Sequence, residues 1–137
     1  MSSFKIFDIA GSGMNAQNLR MNLVASNLAN VDAVSSSMDE TYRARQPVFR
    51  AVLDQASEAN PAVGVQMAGV VESEAPLVRE YAPEHALADK EGYIYRPNVS
   101  VVEEMANMIS ASRAYQNNVE VVNATRQMLS ATINLGR

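Results

Sequence analysis

All five prolines of this 137-residue chain lie between positions 47 and 97. Proline fixes φ, has no N–H to donate and breaks the interior of a helix. Long helices are therefore open only to the two ends, and the middle is confined to short pieces. Charge divides the chain at nearly the same places. Sixteen of its 26 charged side chains lie in residues 38–97. The flanks are thus poor in the Lys and Glu that normally solvate a helix face.

Both flanks carry an apolar recurrence of seven. In the first, Phe7, Met14, Met21 and Leu28 form one row, and Ala10, Gln17, Val24 and Val31 follow each by three. This predicts one helix over residues 4–31 with a heptad seam in which Gln17 is the polar member. Its intrinsic propensity is weak. Gly11 and Gly13 each cost about 1 kcal/mol against Ala, and Asn15, Asn18, Asn22, Asn27 and Asn30 are poor helix formers.

The second flank is stronger. Pro97 excludes helix before it, "SVVE" (100–103) is a capping box, and Gly136 is a natural stop. Val101, Met108, Tyr115, Val122 and Leu129 form a row. Met105, Val119 and Ile133 lie four residues further on, with Ser112 and Arg126 as exceptions. At 1.5 Å per residue this helix is roughly 52 Å long. Its last half adds Ala114, Val121, Met128 and Leu135 as a second row. A stripe that wide exceeds what one partner helix covers.

Between the flanks, "DAVSSSMDE" (32–40) reads as a loop. "AVGVQMAGVVES" and "PLVREYA" have strand-like composition, and "EGYIYR" follows a turn signal at Lys90-Glu91-Gly92. Two to four short strands are expected. The fold class is mainly α: long N- and C-terminal helices pairing as an antiparallel coiled coil, with a small β-rich, irregular middle. The expected divisions are an N-terminal helix in 1–31, a loop in 32–41, the middle segment in 42–97 and a C-terminal helix in 98–137.

Several function classes fall away. A net charge of −4 with no Lys/Arg run argues against a nucleic-acid partner. The absence of Cys removes disulfides, thiol catalysis and thiolate metal sites together. His85, the single histidine, sits in a Pro-flanked charged stretch and reads as solvated. "GSG" (11–13) lacks the Lys and the preceding strand of a phosphate loop. Glu103 and Glu104 point apart on a helix and read as first-turn charges favoured by the helix dipole. No catalytic residue, cofactor or metal is expected. No apolar run approaches the ~18 residues of a membrane helix. "MSSFKIFDIAGSG" has no apolar stretch of signal-peptide length, so any export is expected to leave it uncut.

"ASNLANVD" (25–32) places amides and a hydroxyl where a solvated helix would place charges. Such groups suit a helix buried among other helices, because they hydrogen-bond without the desolvation cost of a charge. One chain supplies only two long helices, so the remaining partners are expected from other chains. A coiled-coil adaptor with a single partner is the alternative. It would need a charged outer helix face, which these flanks lack.

The same motif resembles the segment that closes the N-terminal helix of bacterial flagellar axial proteins, the subunits of rod, hook and hook-filament junction. The run beginning "RPNVSVVEEM" and ending "INLGR" (96–137) resembles their C-terminal helix. "FDIAGSGMNAQ" near the start, "YRARQPVF" (42–49) and "PNVSVVEEM" are similar to basal-body rod proteins of the C type. Many axial proteins continue the motif into "TPGY". Here "AVSSSMDETY" follows, as is usual for this rod type and unlike a hook or distal-rod subunit.

The resemblance implies a structural subunit of the proximal rod, part of the drive shaft and export-channel wall of a motility organelle, with another axial subunit, of the hook or distal rod, as a further alternative beside the adaptor. Its partners would be copies of itself, other flagellar rod proteins, neighbouring basal-body ring components and, in transit, the type III export apparatus. Nucleic acid, small-molecule substrates and membrane insertion are not implied. Its place would be the periplasmic rod, reached unfolded, which suits helices whose weak propensity delays them until they dock. The expected assembly interface is Phe7, Met14, Met21, Val24, Asn27, Leu28 and Asn30 on the first helix. On the second it is Val101, Met105, Met108, Tyr115, Val119, Val122, Met128, Leu129, Ile133 and Leu135.

Overall fold

Two proline-free ends become two long helices, α1 (Ser3–Ala29) and α2 (Val101–Leu135). The computed structural model describes residues 3–53 and 63–136. The helices run antiparallel: Asn27 meets Glu104, Arg20 meets Asn107, and Gly13 lies against Asn118. Ser100 opens α2 in an extended conformation, its hydroxyl accepting from the Glu103 N–H at 3.4 Å. The Gly136 N–H closes it on the Ile133 carbonyl at 3.3 Å.

Helix α1 stops two residues short of the expected 31. The Asn30 N–H is shared between the Ser26 and Asn27 carbonyls, both at 3.2 Å. Its side-chain Nδ2 also donates to the Ser26 carbonyl at 2.8 Å. A side-chain amide competing for the last carbonyls ends the regular ladder.

The middle holds four strands, β1 (Arg45–Leu53), β2 (Val63–Glu72), β3 (Val78–Tyr81) and β4 (Tyr93–Arg96). They form two antiparallel ribbons, β1–β2 and β3–β4. Strand β1 has no counterpart among the strand-like stretches of sequence, because Pro47 lies inside it. The proline is tolerated since β1 is paired on one side only. Val48 faces Gly69 and Phe49 faces Met67, so Ala68 is the extra residue of a bulge.

A lone two-stranded ribbon is marginal in water, and this one is tied to α1 at both ends. The Arg45 N–H donates to Asn27 Oδ1 at 2.9 Å, and the Val65 N–H donates to Ser12 Oγ at 3.1 Å. The ribbon thereby covers about four turns of α1. Helix α1 becomes a middle layer, with α2 on one side and the ribbon on another. The packed interior is thin: of the seven buried apolar residues among those described, four are alanines (Ala10, Ala16, Ala44, Ala111).

The β3–β4 ribbon is closed by Asp89. Its Oδ1 accepts from the Glu91 and Tyr93 N–H groups at 2.9 and 2.8 Å, and its Oδ2 accepts from the Tyr95 hydroxyl at 3.3 Å. These bonds, the Tyr93 N–H foremost, hold the carboxyl below its ordinary value of 3.8 against an opposing effect of desolvation. A lowered carboxyl stabilises the folded loop while ionised. That contribution is complete above the unfolded value and is lost as pH falls through the lowered folded value. The tyrosine near-ultraviolet circular dichroism should therefore show an acid step below about pH 4. Asp89→Asn should abolish that step.

Gly92 in the same loop has φ +83°, and a Cβ there would lie 2.9 Å from Tyr81 Cε2. Gly92→Ala should destabilise this ribbon by about 1–3 kcal/mol. Faster amide exchange at Tyr93 and Tyr95, with α1 and α2 little changed, would report it.

Candidate assembly interface

The helices of the pair meet through small and polar groups. In α2 the buried positions are Glu104, Ala111 and Thr125. With Asn118 they form a row of seven-residue spacing, three residues out of step with the expected Val101–Met108–Tyr115 row. Opposite them, Gly13 permits close approach: a Cβ there would sit 2.9 Å from Asn118 Nδ2. Arg20 donates to Asn107 Oδ1 at 2.9 Å. Gln17 lies half-buried in the same seam, its buried Oε1 without a hydrogen-bond partner.

Asn27 is the hub and is 1% exposed. Its Nδ2 donates to the Arg45 carbonyl at 2.9 Å and to Glu104 Oε2 at 3.1 Å. Its Oδ1 accepts from the Arg45 N–H at 2.9 Å and from the Tyr42 hydroxyl at 2.8 Å. All four positions of the amide are filled. One side chain thus ties α1 to β1, to α2 and to the loop before β1. Beside it, Arg20, Arg45, Phe49, Glu104 and Asn107 line a cavity of about 300 Å³.

The expected interface residues divide three ways. Val24 and Asn27 are buried inside the chain. The hydrogen bonds that Asn27 makes are all within its own chain. Phe7, Met14, Met21, Leu28, Asn30, Met108, Val119, Val122 and Leu129 are half-buried. Val101, Met105, Tyr115, Met128, Ile133 and Leu135 are exposed, Ile133 to 67% and Leu135 to 87%. The seam therefore leaves the large apolar rows of α2 at its border or outside it. The physical reason is separation: a seam of Ala, Gly, Thr and Asn brings the backbones too close for Met and Tyr to lie between them. Val102 and Ile109 are exposed on α2 as well, and Phe4 is exposed on α1.

Gly13, Arg20, Glu104, Asn107 and Asn118 build the seam and were not anticipated. The seven-residue recurrence of Glu104, Ala111, Asn118 and Thr125 was the available signal, obscured because it is not apolar. Among the described residues, no group of three or more His, Cys, Asp or Glu is placed to hold a metal ion. No helix among the described residues is long and apolar enough to cross a membrane.

Comparison with known proteins bears on both helices. Residues 7–35 match the family described as flagella basal body rod protein. Residues 90–135 match the family described as flagellar basal body rod FlgEFG protein C-terminal. Over 137 residues and the full length of both chains, the sequence is 47% identical to the flagellar basal-body rod protein FlgC of Salmonella typhimurium. It is 44% identical to FlgC of Yersinia enterocolitica, again over both full lengths. It is 32% identical to FlgC of Borreliella burgdorferi, with 97% of each chain covered. A polar-seamed helix pair with its apolar rows turned outward, built on a sequence this close over its whole length, belongs to the FlgC family of flagellar basal-body rod proteins, which are structural subunits and not enzymes.

Proposed function

We propose that this chain is a subunit of the proximal rod, contributing to the drive shaft and to the wall of the channel through which later subunits are exported. Its partners on this reading are copies of itself, the other rod proteins and adjoining ring components of the basal body. The export apparatus is a partner only in transit. Its site is the periplasmic rod. The observation that carries the proposal is the set of large apolar side chains that α2 leaves outside the pair, with Met105, Met128, Ile133 and Leu135 exposed and Met108, Val122 and Leu129 half-buried. A solvated helix does not leave such a surface bare. Phe7, Met14, Met21 and Leu28 would continue it onto α1, while Val24 and Asn27 act inside the chain.

Density of an intact basal body tests this. A tier of antiparallel helix pairs around the lumen, with the β ribbons outward, is the expected result. Purified rods lacking the chain, or holding it with α2 facing solvent, would overturn the reading. Mass spectrometry of the same rods should recover peptides from residues 3–20, because α1 is the packing partner of α2. Rods containing only chains that begin beyond residue 20 would refute it.

A further inference from the structure

The seam between α1 and α2 is polar although an apolar one is written beside it in the same sequence. We infer that Asn27 and Glu104 are face-selecting residues: their buried pairing turns the small, polar row of α2 inward and so keeps its apolar rows outward. Turning α2 about its own axis by one row is a rotation of about 60°. It would move Met108, Tyr115 and Val122 into the seam and would cover Met105. Burial of those side chains favours the turn. It is opposed by the hub. Glu104 is 8% exposed and Asn27 1% exposed. The rotation would pull the carboxylate from the amide and leave Asn27, which stays on α1, with an unfilled buried donor, which is unfavourable. A single buried polar residue fixes register in coiled coils by the same logic.

Two further contacts agree with this facing. Gly13 leaves room for Asn118, and Arg20 donates to Asn107. The second lies on the flank nearer the ribbon, since Arg20 and Asn107 share the cavity with β1 residues Arg45, Pro47 and Phe49. The polar flank thus carries the ribbon, and the apolar rows are left for other occupants. The inference rests on the assembly reading only for its cellular consequence; the facing itself stands on the seam.

The test is Asn27→Leu combined with Glu104→Leu in the full chain. Brief peroxide treatment followed by peptide mass spectrometry compares Met105 with Met38. These are 54% and 53% exposed, so Met38 in its loop serves as the internal reference. With both polar partners replaced by leucine, the turn is no longer opposed. Met105 oxidation should fall several-fold relative to Met38, with helical circular dichroism kept or raised. Glu104→Gln retains an oxygen to accept from Asn27 Nδ2 and should keep the wild-type ratio. An unchanged ratio in the double variant overturns the inference. So does loss of its helical signal, which would make the pair a support for folding and not a selector of faces. In cells, the double variant should be made but fail to support swarming. Protection of Met105 together with normal swarming would instead refute the assembly reading and leave the facing intact.

Discussion

A chain ending at Met128 is expected to fold much as the full chain does and to fail to enter the rod. The residues removed make few contacts within the subunit. Ile133 is 67% exposed, Leu135 is 87% exposed, and only Leu129 is half-buried. The reason lies in the register of the pair. Asn27 sits at Glu104 and Gly13 at Asn118, so the start of α1 is reached near residue 128. The last two turns of α2 therefore run past their partner. No charged residue lies between Arg126 and Arg137 to solvate that overhang. Burying Ile133 and Leu135 against neighbouring subunits would contribute roughly 3–6 kcal/mol per subunit, repeated in every copy. The purified truncated chain should keep its thermal midpoint within a few degrees, while cells carrying it as sole copy should not swim. Truncated subunits recovered from basal bodies of motile cells would refute the assignment of this overhang to assembly.

Asn27→Ala should have the largest effect on the subunit itself. It leaves Glu104 Oε2, the Arg45 N–H and carbonyl, and the Tyr42 hydroxyl without their amide partner at a buried position. Leaving a buried donor or acceptor unpaired costs about 1–3 kcal/mol, more where the group is charged. Domains are stable by about 5–15 kcal/mol, and this one buries little beyond alanine, so the loss is a large share of the total. Asn30→Ala is the control. The Asn30 side chain donates to the Ser26 carbonyl of its own helix end, and its removal should cost about 1 kcal/mol. Chemical denaturation measures both. A cost below about 1 kcal/mol for Asn27→Ala would show that water or a neighbour replaces the amide.

Much of the architecture was legible because it depends on the period and placement of a few residue types. Confinement of proline to 47–97 and the heptad rows located both helices. Ser100 and Gly136 marked the ends of α2. The turn at Gly92 and the three strand-like stretches located β2, β3 and β4. Strand β1 was hidden, because whether a proline is compatible with a strand depends on which edge faces a neighbour. "ASNLANVD" was legible as a buried polar segment but not as to its partners. Asn27 bonds to Arg45 and Glu104, 18 and 77 residues away in the chain.

The sequence by itself determined two long helices, a short β middle, an apolar stripe too wide for one partner and, by resemblance, the kind of assembly that covers it. Only the tertiary structure decided which stripe faces which partner. Heptad patterning marks every row that is apolar, but the row that turns inward is chosen by close approach and by polar satisfaction. Here Gly13, Ala111 and Asn118 permit a tight seam, and a filled amide at Asn27 holds Glu104 inside it. The hydrophobic effect is non-directional and does not distinguish burial within the chain from burial between chains. Hydrogen bonds with fixed partners and fixed distances do.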